Sequence, residues 1–282
     1  MDIDLNADLG EGYGPWRMGE DEALLDLVSS ANVACGFHAG DPLIMERTVR
    51  AALARGVDVG AHVGFPDRQG FGRRVMQIDT AELAAMVTYQ LGALAGIARA
   101  AGHRMTHMSF HGALGNMAAA DAALAAPLLR AVAAFDPSLI VSSSSSRAIE
   151  KAAAAASAAG GLRVATTFLA DRAIDDEGLL VPRKLPGAVI HEPAAVLARV
   201  RLLLAEGQVI THSGRRLALK PHSILVHGDT PGAVALARAV RQAVEQAGGR
   251  VLPISRQAAL CSEPGKETPG KTLGSPRDER PT

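Results

Sequence analysis

The sequence has few cysteines, no net charge and no long apolar run, and each absence excludes a class of protein. Two cysteines, Cys35 and Cys261, among 282 residues cannot form a disulfide framework, so a reducing compartment such as the cytoplasm is expected. Lysine plus arginine equals aspartate plus glutamate at 29 each, which leaves no cationic surface for nucleic acid or an anionic membrane. The acidic opening MDIDLNADLG is unlike a signal peptide, and no apolar run approaches the roughly 20 residues of a membrane span. We therefore expect a soluble cytoplasmic protein.

Familiar nucleotide and metal motifs are also missing. GEGYG at residues 10–14 could cradle a phosphate through backbone N–H groups. It has neither the lysine of a Walker A loop nor the spacing of GxGxxG. The candidate histidines lie far apart in the sequence and no HExxH motif occurs, so the sequence predicts no firm protein-bound metal.

Short apolar runs alternate with longer amphipathic ones along most of the chain. This alternation predicts strands near residues 2–8, 31–35, 57–62, 106–111, 138–142, 162–168 and 223–227. It predicts helices near residues 20–28, 42–55, 79–101, 121–135, 145–158, 192–206 and 231–247. Apolar strands that alternate with helices favour a parallel sheet covered by helices. Seven or eight such units over about 250 residues favour a closed, single-domain β/α barrel.

Three local signals refine this prediction. Asp41-Pro42, Asp79 and Thr230-Pro231 are typical helix starts. Residues 208–220 read as a β-hairpin whose turn is Ser213-Gly214. Residues 256–282 are rich in proline, glycine and charge without periodicity, so we expect a barrel domain over residues 1–255 and a disordered C-terminal tail after it.

Polar residues follow the ends of most predicted strands. In an α/β barrel these positions meet at one rim, where active sites are built. Cys35 lies inside an apolar strand with no basic neighbour, which is typical of an inert buried thiol. The candidate pocket residues are Asn6, Asp8 and Glu11 after the first strand, His38 and Asp41 after the second, His62 and Asp67 after the third, His111 and Asn116 after the fourth, Asp171 and Arg172 after the sixth, and His227 and Asp229 after the last.

Three chemistries are compatible with such a rim. Asp8 with two or three histidines could bind a divalent metal and activate water. The same carboxylates and histidines could act as general acids and bases without a metal. The glycine-rich loop after the first strand could hold phosphate. Four arginines are candidate clamps for a carboxylate or a phosphate: Arg73, Arg74, Arg172 and Arg183.

Eight longer motifs occur in order over about residues 2–250: DLNADLGEG, SANVACGFHAGDP, GAHVGFPDRQGFGRR, HGAL, ADRA, LVPR, PGAVI and VHGDTPGAV. Together they resemble the LamB/YcsF family, which includes A subunits of prokaryotic 5-oxoprolinase, and they occur in family order. The resemblance implies a seven-stranded, TIM-like parallel β/α barrel, distantly similar to the glycoside hydrolase/deacetylase superfamily.

The resemblance also implies an activity. Together with subunits B and C, such proteins open the lactam ring of 5-oxoproline to glutamate at the expense of ATP, with Mg²⁺ as the nucleotide's counter-ion. On this reading the catalytic cluster is Asp8, His38, His62 and His111. Substrate- or nucleotide-binding roles fall to Asn6, Glu11, Asp41, Arg73, Asn116, Asp171, Arg172, His227 and Asp229.

The chain departs from the family pattern at predicted strand exits. Ser109 and Gly115 stand in SFHGALGN where the family usually reads KPHGALYN, and a serine run fills residues 142–146. Val63 and Ile174 replace a usual proline and tyrosine. Loss of an ammonium removes a partner for a phosphate or an oxyanion. Two alternatives therefore stay open: a non-catalytic scaffold subunit, and a metal-dependent deacetylase of a carbohydrate-like amide.

Overall fold

The computed structural model describes residues 1–157 and 161–261, which form an α/β barrel. The strands are β1 Asp2–Leu9, β2 Ser30–Ala34, β3 Asp58–Val63, β4 Met105–Phe110, β5 Ile140–Ser143, β6 Arg163–Leu169, β7 Gln208–Ile210, β8 Arg216–Ala218, β9 Ser223–His227 and β10 Arg250–Val251. The helices are α1 Asp21–Leu25, α2 Pro42–Arg55, α3 Thr80–Ala100, α4 Gly112–Ala120, α5 Ala122–Phe135, α6 Arg147–Ala154, α7 Pro193–Glu206, α8 Ala233–Gln246 and α9 Ala258–Cys261, with a 3-10 turn at Ile254–Arg256.

Seven parallel strands close into the barrel. Their order is β1-β2-β3-β4-β5-β6-β9, and β9 returns to pair with β1. In that closing pair Asp4 lies opposite Ser223 and Asp8 lies opposite His227. The hairpin β7–β8 stands apart as a two-stranded antiparallel sheet, and β10 extends the N-terminal end of β1. The predicted seven-stranded parallel β/α barrel is confirmed.

The predicted elements agree with the structure at most positions. Every predicted strand is present within two residues of its expected bounds, and the hairpin turns at Ser213-Gly214 as expected. Helix α4 was not among the predicted helices; its segment contains two glycines but is rich in alanine, and it forms a helix directly after His111. Residues 258–261, assigned to the tail by the sequence, form α9. The rest of the predicted disordered tail, residues 262–282, lies outside the described residues.

Two of the three predicted helix starts are confirmed. The carboxylate of Asp41 accepts the backbone N–H groups of Leu43 and Ile44, and that of Asp79 accepts the N–H of Ala81. Such bonds satisfy donors that have no partner in the first helical turn. The third was wrong: α8 begins after Gly232, whose φ of 79° lies in the left-handed region.

The inside of the barrel is polar rather than apolar. Alternate residues of a strand face the same side, and so Asp4, Asn6 and Asp8 of β1 all point inward and are buried. Nearest the amino ends of the strands, at the bottom of the barrel, Asp4 accepts hydrogen bonds from three serine hydroxyls. At the middle level Asn32 donates to the side chains of both Asn6 and Asp8. A column of buried polar groups therefore leads from the bottom of the barrel to its rim. The three serines are Ser29, Ser30 and Ser223.

Glycine makes room for this column at one position. The ring of His107 lies so close to Gly60 that a Cβ added there would come within 2.2 Å of the imidazole. His107 donates from Nε2 to Oδ1 of Asn32 over 3.1 Å. Gly60 therefore lets a histidine of β4 hold the asparagine that supports Asp8.

Helix α3 is the longest helix among the described residues. Over its 21 residues it is long and apolar enough to cross a membrane, and α4 with α5 passes the same test together but is bent by 115°. The buried residues of α3 include Leu83, Val87, Leu91 and Leu94, whose spacing matches one face of a helix. That face packs on the barrel and on α5. The position of α3 is that of an outer helix of a β/α barrel, with one face on the barrel and the other exposed.

Candidate active site

A cavity of about 580 Å³ opens at the carboxyl ends of the barrel strands. One wall carries Asp8 from the end of β1, His62 from β3 and His111, which follows β4. The opposite wall carries Ser142, Ser143 and Ser144, with Thr167 from β6. This is the rim at which β/α barrels hold their catalytic residues.

Three histidines and a glutamate, which we call the histidine–glutamate cluster, meet beside Asp8. The cluster consists of Glu11, His38, His62 and His111, and all four side chains are buried. One ligand atom from each lies within 4.8 Å of the other three. The rings of His38 and His111 stack in parallel, with centroids 3.8 Å apart and 5° between planes.

Hydrogen bonds fix the orientation of these rings. His111 donates from Nε2 to the carbonyl oxygen of Phe71 over 2.7 Å, so its Nδ1 presents a lone pair. That Nδ1 lies 2.9 Å from Nε2 of His62, whose other nitrogen contacts the Ser109 hydroxyl at 2.7 Å. Nε2 of His38 lies 3.3 Å from Oε1 of Glu11. The cluster is thus a connected set of donors and acceptors, with few alternative arrangements.

The Phe71 carbonyl is placed by an unusual backbone. Phe71 has a φ of 52°, in the left-handed region that non-glycine residues rarely adopt. Its ring also packs edge-on against His38 and His111. The loop after β3 therefore holds a strained residue at the position that both covers and orients the cluster.

The two carboxyl groups of the site have opposite protonation tendencies. Burial alone would raise the pKa of Asp8, but the charge and hydrogen bond of His62, with help from His227, hold it well below its usual value. Burial raises the pKa of Glu11 well above its usual value, and the charge of Asp8 raises it further. When the pKa values of two neighbouring carboxyl groups are shifted in opposite directions, one group can act as a base and the other as an acid.

Burial also keeps two of the histidines neutral. It lowers the pKa of His111 to about 3, with a further contribution from the nearby His62. The pKa of His38 falls for the same reasons, burial first and then its histidine neighbours. Neutral imidazoles have a lone pair for accepting a proton or binding a metal.

His227 and Asp171 form a dyad on the other side of Asp8. Nδ1 of His227 lies 2.7 and 2.9 Å from the two carboxylate oxygens of Asp171, and its Nε2 lies 3.9 Å from Oδ2 of Asp8. Burial would lower the pKa of His227, but the charge and hydrogen bond of Asp171 outweigh it, so the net shift is upward. The raised pKa favours the protonated form of His227, and a protonated imidazole that lines the cavity can donate a proton to a bound molecule.

Cationic groups border the same cavity. Arg73 donates to Asp229 over 2.7 Å and is partly exposed. Arg183 and Lys184 are exposed and also line the cavity. An anionic group of a small molecule would find its counter-charge there.

The structure brings most of the sequence-predicted residues together. Eight line the cavity, and four more contact those eight or the cluster directly. Asn6 is buried one level below and accepts from Asn32. The lining residues are Asp8, His62, Arg73, His111, Asn116, Arg172, Arg183 and His227, and the contacting ones are Glu11, His38, Asp171 and Asp229.

Asp41 and two of the arginines have structural contacts instead. The carboxylate of Asp41 accepts from Leu43 and Ile44 of α2 and from the Gly14 backbone. Arg74 pairs with Asp67, away from the cavity lining. Arg172 lines the cavity, but it donates to the carbonyl oxygens of Ala188 and Val181. Its guanidinium thereby positions the loop that carries Arg183.

Sequence reasoning missed three residues of the site. His107 and Asn32 support Asp8 from below, and Lys184 borders the cavity. A signal for the first was present in MTHMSFH, where His107 and His111 are four residues apart. Because alternate residues of an extended chain face the same side, His107 in β4 and His111 directly after it are expected on the inward face. Asn32 gave no such signal, since a single asparagine in an apolar strand has many roles.

Two of the departures from the family pattern reach the cavity. Ser109, Gly115 and the serines at 142, 143 and 144 line it. Ile174 and Val63 are buried and are absent from the cavity lining. Of the four departures expected at strand exits, those in SFHGALGN and the serine run therefore lie at the pocket, whereas those at Val63 and Ile174 do not.

Known proteins resemble this chain over nearly its whole length. A protein of Ralstonia nicotianae named as a 5-oxoprolinase A subunit, form 2, is 70% identical over 264 residues, which are 94% of this chain and 100% of that protein. A protein of Pseudomonas syringae pv. tomato named as a 5-oxoprolinase A subunit, form 1, is 68% identical over 256 residues, 91% of this chain and 98% of that protein. The crystal structure of a lactam utilization protein from Thermus thermophilus superposes with a TM-score of 0.82 at 42% identity, covering 89% of this chain and 99% of that one. Residues 3–259 match the LamB/YcsF family, and the chain belongs to that family.

Proposed function

We propose that this chain is the A subunit of an ATP-dependent 5-oxoprolinase, which opens the lactam ring of 5-oxoproline to give glutamate. The names of two relatives that match nearly the whole chain support the substrate and the subunit status. Subunits B and C would complete the enzyme, and ATP would enter with Mg²⁺ as its counter-ion.

One observation carries the proposal: a single cavity has an acid–base wall and a cationic border. Asp8, His62 and His111 form the wall, and Arg183 and Lys184 stand at the border. 5-Oxoproline is a small ring that carries an amide and a carboxylate. Its carboxylate would pair with the cationic groups, which leaves its amide facing Asp8 and the histidines.

The chemistry needs both a base and an acid. Transfer of the γ-phosphoryl group of ATP to the lactam oxygen would make the ring carbon electrophilic. Water would then add to that carbon while Asp8 or His111 accepts its proton. The ring C–N bond would break as its nitrogen takes a proton from the His227–Asp171 dyad, and a second water releases the phosphate. The products balance as glutamate, ADP and phosphate.

Glutamate release from 5-oxoproline tests the proposal. The chain is mixed with B and C subunits and assayed with and without ATP. We expect ATP-dependent glutamate that is absent when this chain is left out. Asp8→Asn should lower the rate by about 10²–10⁴-fold, whereas Asp26→Asn, at an exposed surface pair with Arg55, should not change it.

A second variant separates a drifted pocket from a wrong substrate. Ser109→Lys restores the residue usual in the family. Glutamate from Ser109→Lys alone would contradict the proposal for the natural sequence and show that its pocket has drifted away from this reaction. No glutamate from either folded protein would reject 5-oxoproline as the substrate.

A further inference from the structure

We infer that three members of the histidine–glutamate cluster, Glu11, His62 and His111, form a binding site for a divalent transition-metal ion. The inference concerns binding by this chain alone and does not depend on the ring-opening activity. It rests on the spacing of the ligand atoms, on the orientation of the rings and on the groups that hold them.

The spacing of the ligand atoms is close to that of an occupied metal site. Zn²⁺ binds imidazole nitrogen and carboxylate oxygen at about 2.0–2.2 Å, so neighbouring ligand atoms of a tetrahedral site are about 3.3–3.6 Å apart. Nε2 of His62 lies 2.9 Å from Nδ1 of His111, which lies 3.7 Å from Oε1 of Glu11. All the ligand atoms stay within 4.8 Å of one another, so shifts of a few tenths of an ångström to about 1 Å would complete the site.

The outward nitrogens of the two proposed histidine ligands are held by oxygen atoms. Nε2 of His111 donates to the Phe71 carbonyl, and Nδ1 of His62 contacts the Ser109 hydroxyl. Metal-binding histidines nearly always have such a partner on the nitrogen that faces away from the ion. With those nitrogens engaged, Nδ1 of His111 and Nε2 of His62 are left to face each other across the site.

His38 is excluded as a ligand by its ring orientation. A metal ion lies close to the plane of each imidazole that binds it, whereas the His38 ring is stacked in parallel on that of His111. One ion cannot lie in both planes. Nδ1 of His38 is buried without a partner among the described residues, so its proton belongs on Nε2, which faces Glu11. His38 therefore orients the carboxylate by donating to it, as groups around metal sites commonly do.

Three protein ligands leave a coordination position open. Asp8 lies 3.4 Å from Nε2 of His62, and its negative charge would add to that of Glu11 in balancing the ion. Sites with three protein ligands and an open position are typical of ions that bind water or polarise a carbonyl group. The open position would face the cavity, where an amide oxygen can reach it.

Direct metal titration tests the inference. The full-length protein is freed of metal with a chelator and titrated with Co²⁺, and zinc content after dialysis is measured by mass spectrometry. We expect one equivalent of Co²⁺ with the visible absorption bands of a four- or five-coordinate ion, and a higher melting temperature with Zn²⁺ than without it. No stoichiometric binding by the natural sequence would overturn the inference.

Four variants assign the ligands. Glu11→Gln and His111→Ala should abolish the Co²⁺ bands, while His38→Asn should weaken binding by roughly 10–100-fold and leave the bands in place. His227→Gln is the matched control, because it removes a buried cavity histidine that is outside the proposed site. Full binding by folded Glu11→Gln, or loss of binding in folded His227→Gln, would contradict the assignment. Circular dichroism of each variant shows whether it is folded.

Discussion

The imidazole of His227 contacts both carboxylate oxygens of Asp171 and turns its other nitrogen towards Asp8. The three groups come from the ends of β9, β6 and β1, and their order Asp171–His227–Asp8 places a histidine with a raised pKa between two acids. A protonated His227 can donate to a leaving nitrogen in the cavity, and Asp171 maintains that protonated state.

Asp171→Asn should therefore change the pH dependence of turnover. The pKa of His227 is raised by Asp171, so the active, protonated form is lost as pH rises through that raised value. Without the carboxylate the fall in rate should move to lower pH, and the rate at neutral pH should drop about 10-fold or more. The pH profile of kcat shows the shift. An unchanged alkaline limb would mean that His227 is not the acid.

Ser109→Ala should impair the site without unfolding the protein. It removes the hydroxyl that contacts Nδ1 of His62 and leaves a buried polar atom unpaired, which costs about 1–3 kcal/mol. We expect a roughly 10-fold lower kcat/KM. Ser142→Ala is the control, because Ser142 lines the same cavity but bonds to Thr167. Equal losses in the two variants would argue against a specific role of the Ser109–His62 contact.

Asp4 should make the barrel less stable as pH rises through the weakly acidic range. Burial raises the pKa of Asp4 to about 6, against the opposing hydrogen bonds of three serines. The folded protein thus holds this proton more tightly than the unfolded chain, whose aspartate has a pKa of 3.8. The stability that this proton provides is present below about pH 4 and is lost by about pH 6, amounting to about 3 kcal/mol.

Urea unfolding of Asp4→Asn at several pH values tests the direction of this pH dependence. Asparagine is neutral at every pH, and its amide can still bond to the serine hydroxyls. The variant should gain stability relative to the natural protein when the pH is raised from about 4.5 to about 7. If the difference in free energy of unfolding between the two proteins does not change with pH, the raised pKa of Asp4 is contradicted.

Gly60→Ala should destabilise the barrel through His107. The added methyl group would meet the imidazole at 2.2 Å, and overpacking of this kind costs about 1–3 kcal/mol. It should also lower activity, since His107 supports Asn32 and thereby Asp8. Gly96→Ala in α3 is the matched control: a Cβ there meets nothing within 4 Å, and alanine favours helix by about 1 kcal/mol. Thermal unfolding of both variants should show shifts of opposite sign.

The barrel could be predicted because each of its strands and most of its helices are indicated by residues that lie close together in the sequence. Strand–helix alternation and caps such as Asp79 depend on near neighbours, which a single sequence displays. The rim residues followed, because parallel strands that end at one face must bring Asp8, His62 and His227 together. Helix α4 was missed, since Gly112 and Gly115 are poor helix formers and tertiary packing overrides that preference.

The roles of individual site residues could not be predicted from the sequence in the same way. Asp8, Asp41 and Asp171 are similar in sequence, as each lies at or after the end of a strand. Asp41 was predicted both as a helix cap and as a pocket residue, and only the packing of the loops shows that it is a cap alone. The same packing turns Asp8 towards the cavity and places Asp171 against a histidine. The stacking of His38 on His111 likewise depends on loops from two strands. Such contacts link positions far apart in the chain, and one sequence without its three-dimensional arrangement does not contain them.

The pairing of β1 with β9 has a consequence during synthesis of the chain. Asp4 and Ser223, which bond across that seam, are 219 positions apart. At about 5–20 residues per second, the ribosome needs roughly 10–40 s to deliver the last strand after the first. Throughout that interval β1 has an open edge that can pair with other chains. Nascent protein should therefore be most prone to aggregate before β9 emerges, and the barrel acquires its proton donor His227 at the same moment that it loses this exposed edge.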